Sequence, residues 1–128
     1  GAEPPARPPL AHCVASRTGL GGVVGKKREY FSWRFAVDFE GGELASLIDK
    51  GEVEAVVEAS RGRVEIVSAR PLREINGYRA MFDLVPPEGS TEQIDIRLFL
   101  RSGGKTLTET WLYQYTPPPA GAPERTLY

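Results

Sequence analysis

Hydrophobic and polar residues alternate along most of the chain with a period of two, which is typical of half-buried β-strands. The clearest run spans 29–39, where every second residue is bulky and apolar and most of the residues between are polar or small. A helix would scatter these bulky side chains around its circumference, so the run predicts a strand. The expected buried face consists of Phe31, Trp33, Phe35, Val37 and Phe39.

The same alternation predicts further strands over 53–59, 63–72, 78–84, 94–101 and 106–115. Two of them have a clear inward face, formed by Tyr78, Ala80, Phe82 and Leu84 and by Ile94, Ile96, Leu98 and Leu100. In the second of the five, Val64 and Ile66 are expected to face the same way. Pro71 predicts a sheet edge or a strand end, because proline has no amide hydrogen to donate. Both faces of the last strand carry apolar residues, so the pattern leaves its buried face open.

Turns and short elements complete the pattern. Ser60-Arg61-Gly62 is expected to form a short hairpin turn, and Asn76-Gly77 predicts a type I′ hairpin because both residues tolerate a positive φ. The segment 43–49 predicts a turn or two of helix, and 12–16 offers one further short strand.

Six or seven short strands without room for helical crossovers predict an all-β fold, an immunoglobulin-like antiparallel β-sandwich of about seven strands. Cys13 is the only cysteine, so the sandwich is expected to have no disulfide. Proline-rich ends set the expected boundaries. We predict a Pro/Gly-rich linker from a missing N-terminal domain over 1–22, with a short strand at most, the sandwich over 23–116 and a C-terminal tail over 117–128.

Composition excludes several function classes. The net charge of -1 does not favour nucleic acid, which needs a basic patch, and no apolar stretch is long enough to predict insertion into a membrane. His12 and Cys13 are the only histidine and cysteine, and neighbours on a strand point to opposite faces, so neither a metal site nor another cofactor is expected.

Four blocks of sequence, in this order and spacing, resemble the C-terminal domain of the periplasmic glucan biosynthesis protein family. They are ASRTGLGG at 15–22, RFAVDFEGGEL at 34–44, GYRAMFDL at 77–84 and TETWLYQY at 108–115, the last followed by Pro117-Pro118. Together they cover most of the chain between Cys13 and Pro118.

The resemblance implies a periplasmic protein that acts on osmoregulated β-glucans. It implies a large N-terminal β-sandwich with a carbohydrate-binding cleft and catalytic carboxylates, joined to a smaller immunoglobulin-like domain. No catalytic residue is therefore assigned to this chain, and any enzymatic action on β-glucan is left to the parent protein. The chain is expected to be a non-catalytic accessory domain that interacts with or orients a partner. The expected partners are the N-terminal domain, β-glucan or a membrane glucan synthase.

An alternative function is a carbohydrate-binding module. Trp111, Tyr113 and Tyr115 fall on one face of the last strand, and a flat aromatic row can stack on sugar rings. The favoured interpretation is that Trp111 belongs to the core and the tyrosines close the sandwich edge. Exposure of the three rings would discriminate between the two.

Candidate interaction residues come from three places in the chain. Arg17 lies in the segment that the resemblance places near the domain junction, and Lys26, Lys27 and Arg28 form a basic run. Met81 and Phe99 project from otherwise polar faces and together suggest a docking patch. Asp38 and Asp83 are interpreted as solvated carboxylates, and no hydrolytic pair is expected in the domain.

Overall fold

The computed structural model describes residues 9–127, which form two antiparallel sheets. The strands are β1 (His12–Leu20), β2 (Trp33–Glu40), β3 (Glu54–Ala59), β4 (Arg63–Leu72), β5 (Gly77–Val85), β6 (Ile94–Ser102), β7 (Lys105–Thr106) and β8 (Trp111–Tyr115). One turn of helix, α1 (Leu44–Leu47), follows β2, as predicted. Short 3₁₀ turns occupy Arg73–Ile75 and Pro123–Arg125. No helix in the described part of the chain is long and apolar enough to span a membrane.

The sheet topology is that of an immunoglobulin-like sandwich. The first sheet has the strand order β1-β2-β5-β4. In the second sheet, β3 pairs with one side of β6, while β7 and then β8 pair with its other side and act as one interrupted strand. Counted this way, residues 9–127 contain seven strands in the four-plus-three arrangement of constant-type immunoglobulin domains. Cys13 is a free thiol. The predicted fold class is confirmed.

The core lies between the two sheets and follows the predicted alternation. Apart from the half-buried Trp33 at the start of β2, the inward residues of β2, β5 and β6 are almost completely buried. The rings of Phe35 and Phe82 stack with centroids 5.1 Å apart. Burying each such side chain contributes roughly 1.5–3 kcal/mol. The largest of the buried side chains are Tyr78, Phe35, Phe39, Phe82, Leu44, Leu84, Ile94, Ile96, Leu98 and Leu100.

Strand β1 corrects the predicted boundary between linker and sandwich. It runs for nine residues and pairs with β2 along its length, so the sandwich begins well before residue 23. Just before β1, Ala11 forms an isolated parallel bridge with Thr108, which lies between β7 and β8. This edge strand lacks a regular apolar face, which is why its sequence resembles a linker. Residues 1–8 of the predicted linker lie outside the described residues.

The prediction of a hairpin turn at Ser60-Arg61-Gly62 is wrong, because β3 and β4 belong to different sheets. The chain crosses the sandwich here. The Ser60 amide donates to the Asp95 carbonyl at 2.9 Å, and the Asp95 amide donates to Ser60 Oγ at 2.9 Å. These bonds hold the end of β3 against β6 while the backbone leaves the sheet.

The connection between β4 and β5 is a hairpin, as predicted, but its turn is not type I′. A 3₁₀ turn precedes Asn76, which has a φ of 51°, and Gly77 already belongs to β5. Glycine is required at 77 for lack of space around its Cα atom and not because of a positive φ. A Cβ atom there would lie 2.0 Å from the carbonyl oxygen of Phe39.

Strand β4 lies at a sheet edge, as Pro71 predicted, but a bulge interrupts it. The register with β5 shifts between Glu65 and Ser68, and Ile66 has a φ of 54°. Val64 packs against the core, whereas Ile66 and Val67 are exposed. The prediction that Val64 and Ile66 face the same way is therefore wrong, because the extra residue changes the alternation.

The segment predicted as a C-terminal tail packs against the sandwich. Arg125 Nε donates to the Pro118 carbonyl at 2.7 Å, and its guanidinium lies 4.6 Å from the ring centroid of Phe31. Arg125 Nη2 also donates to the Ser90 carbonyl at 3.3 Å. Residues 117–127 therefore close one end of the core rather than trailing away from it.

Candidate interaction surface

The aromatic row of the last strand faces the core. Phe35 meets the rings of Trp111, Tyr113 and Tyr115 edge-on, with centroid distances of 6.1, 5.3 and 5.5 Å. Tyr115 is only 8% exposed, and its burial raises its pKa to about 12. The other face of the strand, with Leu112, is the solvent side. Trp111 and Tyr113 are half-buried and Tyr115 is buried, so the three rings close the sandwich edge and are not presented together to solvent as one flat platform.

The interpretation of Asp38 and Asp83 as solvated carboxylates is wrong, because Asp38 is only 6% exposed and the side chain of Asp83 is completely buried. Arg34 donates to it through Nε at 2.7 Å and through Nη2 at 3.2 Å. The amide of Gly22 also donates to Asp83, at 2.8 Å, and Arg34 Nη2 donates to the Gly22 carbonyl at 2.6 Å. The ion pair therefore holds both polar groups of one loop residue, and it fixes that loop over the outer face of the first sheet.

The loop after β1 adds its own bonds to this anchor. Arg28 Nε donates to the Gly21 carbonyl at 2.8 Å, and the Gly21 amide donates to the Ser32 carbonyl at 3.0 Å. A Cβ atom on Gly21 would lie 2.3 Å from Ser32 Oγ and 2.7 Å from an Asp83 carboxylate oxygen. Only glycine lets the backbone approach the ion pair this closely.

Beyond its anchor, the loop presents apolar side chains to solvent. Val23 is 51% and Val24 96% exposed. Val23 lines a shallow depression together with Ile66 of the β4 bulge. The bulge exposes Ile66 at 47% and Val67 at 44%. Tyr30 lies at the same depression, and its hydroxyl donates to Glu65 Oε1 at 2.6 Å. We call residues 22–30 together with 65–67 the loop surface.

Positive charge surrounds the loop surface and continues over the outer face of the first sheet. On that face Arg79 donates to Asp38 at 2.7 Å, and this contact raises the pKa of the guanidinium. The buried pair of Arg34 and Asp83 is likewise neutral overall. Five other cations of the region form no ion pair among the described residues. They are Arg17, Lys26, Lys27, Arg28 and Arg70.

The structure brings together most, but not all, of the predicted interaction residues. Arg17 and Met81 both lie opposite Ala36, on the outer face that the basic loop borders. Phe99 lies on the second sheet, opposite Val56. Met81 and Phe99 therefore project from opposite sides of the sandwich, and the patch expected from the two together does not exist.

Sequence reasoning missed the apolar part of this surface and its anchor. The pair Val23-Val24 beside three basic residues was a readable signal, since two adjacent valines are unusual in a solvated loop. The exposure of Ile66 depends on the bulge, and the alternation of apolar and polar residues in this strand does not predict a bulge. Among the described residues, no three His, Cys, Asp or Glu side chains converge as ligands for a metal ion.

Comparisons with known proteins agree with the four sequence blocks. The model of the family described as "Periplasmic glucan biosynthesis protein, MdoG" matches residues 1–115. A relative named "Glucans biosynthesis protein D" from Stenotrophomonas maltophilia (strain K279a) is 99% identical over the whole chain, which covers 24% of that relative.

Two relatives of the same name are more distant. One from Xanthomonas campestris pv. campestris is 72% identical over an alignment of 130 positions, which covers the whole chain and 24% of the relative. The one from Xanthomonas oryzae pv. oryzae (strain PXO99A) is 72% identical over 119 residues, which is 91% of the chain and 22% of the relative. The chain thus spans about a quarter of the length of these relatives. Because the family match covers most of the chain, the chain belongs to the periplasmic glucan biosynthesis protein family, and the expected periplasmic location is confirmed with it.

Proposed function

We propose that the chain is a non-catalytic accessory domain of a longer periplasmic protein that acts in the biosynthesis of osmoregulated β-glucans. Its task is to dock against another protein surface and so to position the part of the protein that handles glucan. The loop surface carries this proposal, because it combines exposed apolar side chains with cations that form no ion pair within 9–127, all on a rigid base. Clustered apolar exposure on a soluble domain is typical of an interaction site.

The carboxylates on the outer face of the first sheet support a structural role. Glycoside hydrolysis needs two carboxyl groups that flank the sugar and exchange protons with it or with water. Asp83 is completely buried, and Asp38 is 6% exposed and bound by Arg79. Both carboxylates are bound by arginine and neither faces a cleft. We therefore assign them a role in stabilising the sheet and not a role as a general acid, general base or nucleophile.

The inward packing of the aromatic row supports docking over direct glycan binding. A sugar stacks on a ring face that water can reach, whereas Trp111, Tyr113 and Tyr115 turn toward Phe35. Of the partners that the resemblance implies, the larger N-terminal domain of the same protein is the one we propose.

A titration of the chain with linear β-1,2-glucan, followed by NMR, tests the choice between the two functions. We expect no shift at Trp111, Tyr113 or Tyr115, and no release of reducing ends from the glucan by the chain alone. Linear β-1,4-glucan serves as the control for unspecific contact. Saturable shifts at the three rings with the first glucan only, or hydrolysis of it, would overturn the accessory role.

A second measurement tests docking itself. Hydrogen exchange of this domain is compared between the chain alone and the full-length Stenotrophomonas maltophilia relative, which is 99% identical over the domain. We expect one contiguous outer surface to exchange more slowly in the longer protein. Equal exchange over the whole domain in both contexts would contradict docking.

A further inference from the structure

We infer that the loop surface binds an acidic surface with an apolar centre, contributed by the rest of the longer polypeptide. This inference rests on the proposed function and names the surface, the partner and its chemistry. The partner's apolar centre would cover the two valines of the loop and the β4 bulge. Its carboxylates would meet the surrounding cations.

The apolar part of the surface resembles the centre of a protein interface. Val23 and Ile66 line one depression, and each has an exposed apolar neighbour in the sequence, Val24 at 96% and Val67 at 44%. Single exposed apolar residues are normal, but a group of four on two separate segments is not explained by the fold. Interfaces typically bury an apolar centre within a polar rim. The basic run from Lys26 supplies that rim.

The charge of the surface sets the chemistry of the partner. The whole chain has a net charge of -1, yet five cations without an ion-pair partner among the described residues border this region. Glu65 is already engaged by Tyr30, and it lies 3.6 Å from Arg63. Glu29 also lines the depression and forms no ion pair among the described residues, but the five cations outnumber it. The surface is therefore positive overall, and a partner surface rich in Asp and Glu complements it.

The anchor beneath the loop reduces the cost of binding. The amide and the carbonyl of Gly22 are both held by the buried pair of Arg34 and Asp83. A loop that is fixed before binding loses less conformational entropy when it binds. A small docking surface can therefore suffice.

The rest of the same polypeptide is the occupant to which we commit. The chain spans about a quarter of its relatives, so three quarters of the protein lie outside it. A tethered partner acts at an effective concentration on the order of millimolar. Contacts within one chain bury roughly 600–1,500 Å², which a surface of this kind can supply with part of the adjoining sheet face.

Hydrogen exchange with paired variants tests the surface. In the full-length Stenotrophomonas maltophilia relative, we expect the amides of 22–30 to exchange about tenfold more slowly than in the chain alone. Val24→Asp should return them to within about twofold of the chain alone. Leu112→Asp is the matched control, because Leu112 is 68% exposed on the opposite sheet, and it should leave the protection unchanged.

Charge reversal tests the chemistry of the partner. The double variant Lys26→Glu with Lys27→Glu should also remove the slow exchange of 22–30 in the full-length relative. Added salt should speed the exchange of the same amides in the full-length relative without substitutions. Arg97→Glu, on the outer face of the second sheet, is the control and should have no effect. Protection that withstands both salt and the lysine reversal would overturn the acidic partner.

Three outcomes separate failure of this inference from failure of the proposed function. Protection around Leu112 and Phe99 in place of the loop surface would overturn the inference and leave the accessory role intact. No protection on any surface would overturn both. Self-association of the chain alone in sedimentation, abolished by Val24→Asp, would make a second copy the occupant and would also overturn the inference.

Discussion

Replacing Asp83 with asparagine removes the buried carboxylate that anchors the loop after β1. Asp83 has no exposed surface and accepts two hydrogen bonds from Arg34 and one from Gly22. An asparagine oxygen could keep part of this set. Its NH₂ group would face another donor, however, and the charge of Arg34 would lose its partner.

The magnitude follows from the burial of the pair. Breaking a buried ion pair from one side costs about 3–5 kcal/mol. The side chain of Arg34 is 28% exposed and can recover some hydration, so we expect the lower end, about 3 kcal/mol. For a domain of this size the corresponding fall in Tm is roughly 10 °C.

Urea unfolding followed by tryptophan fluorescence measures the loss, provided that the slope with urea is unchanged. Asp49→Asn is the control, because Asp49 pairs with Arg73 in full solvent and its loss should not be measurable. Replacing the whole pair, with Arg34→Met and Asp83→Leu, should cost less than Asp83→Asn alone. A loss below about 1 kcal/mol for Asp83→Asn would refute the anchor. So would a double variant whose loss equals the sum of the losses in Arg34→Met alone and Asp83→Leu alone.

Three further predictions concern the core and a turn. Gly77→Ala should lower the free energy of unfolding in urea by about 1–3 kcal/mol, because the added Cβ would meet the Phe39 carbonyl. Gly19→Ala is the control and should stay within about 1 kcal/mol of the unsubstituted chain, because nothing lies within 4 Å of its added Cβ. Equal losses in the two variants would contradict the close approach at Gly77. Phe35→Ala should cost about 3–5 kcal/mol by the same assay, and a loss below about 1 kcal/mol would place the aromatic row outside the core. The pKa of Tyr115 is raised to about 12, above its unfolded value of about 10, so its contribution to stability is complete below about pH 10 and is lost as pH rises toward 12. Alkaline unfolding should therefore be less steep in Tyr115→Phe, and identical profiles would count against the buried hydroxyl.

The strands whose buried faces were predicted most clearly have partners on both sides. β2, β5 and β6 occupy inner positions of their sheets, and every second residue meets the core, so the apolar face of each is regular even though Met81 and Phe99 project from the outer faces. The errors fall at edges and connections. Ile66 lies in a bulge of an edge strand, and Ser60-Arg61-Gly62 crosses between sheets although its composition equally suits a hairpin.

The candidate site was predicted only in part. The basic run of Lys26, Lys27 and Arg28 was visible because charge is a property of the residues themselves. The burial of Asp83 was not, since a carboxylate on the polar face of a strand is normally solvated. It is buried here because a loop 61 residues away in sequence lies over it.

The amino-acid sequence by itself determined the strand content, the inward faces of the central strands and the absence of an internal disulfide. These properties depend on local alternation and on residue identity, which are both written along the chain. Tertiary structure alone decided which sheet each strand joins, which face of the last strand is buried and that Arg34 and Asp83 anchor a loop. Each of these depends on which distant segment packs against a residue, and a pattern with a period of two residues carries no information about distant neighbours.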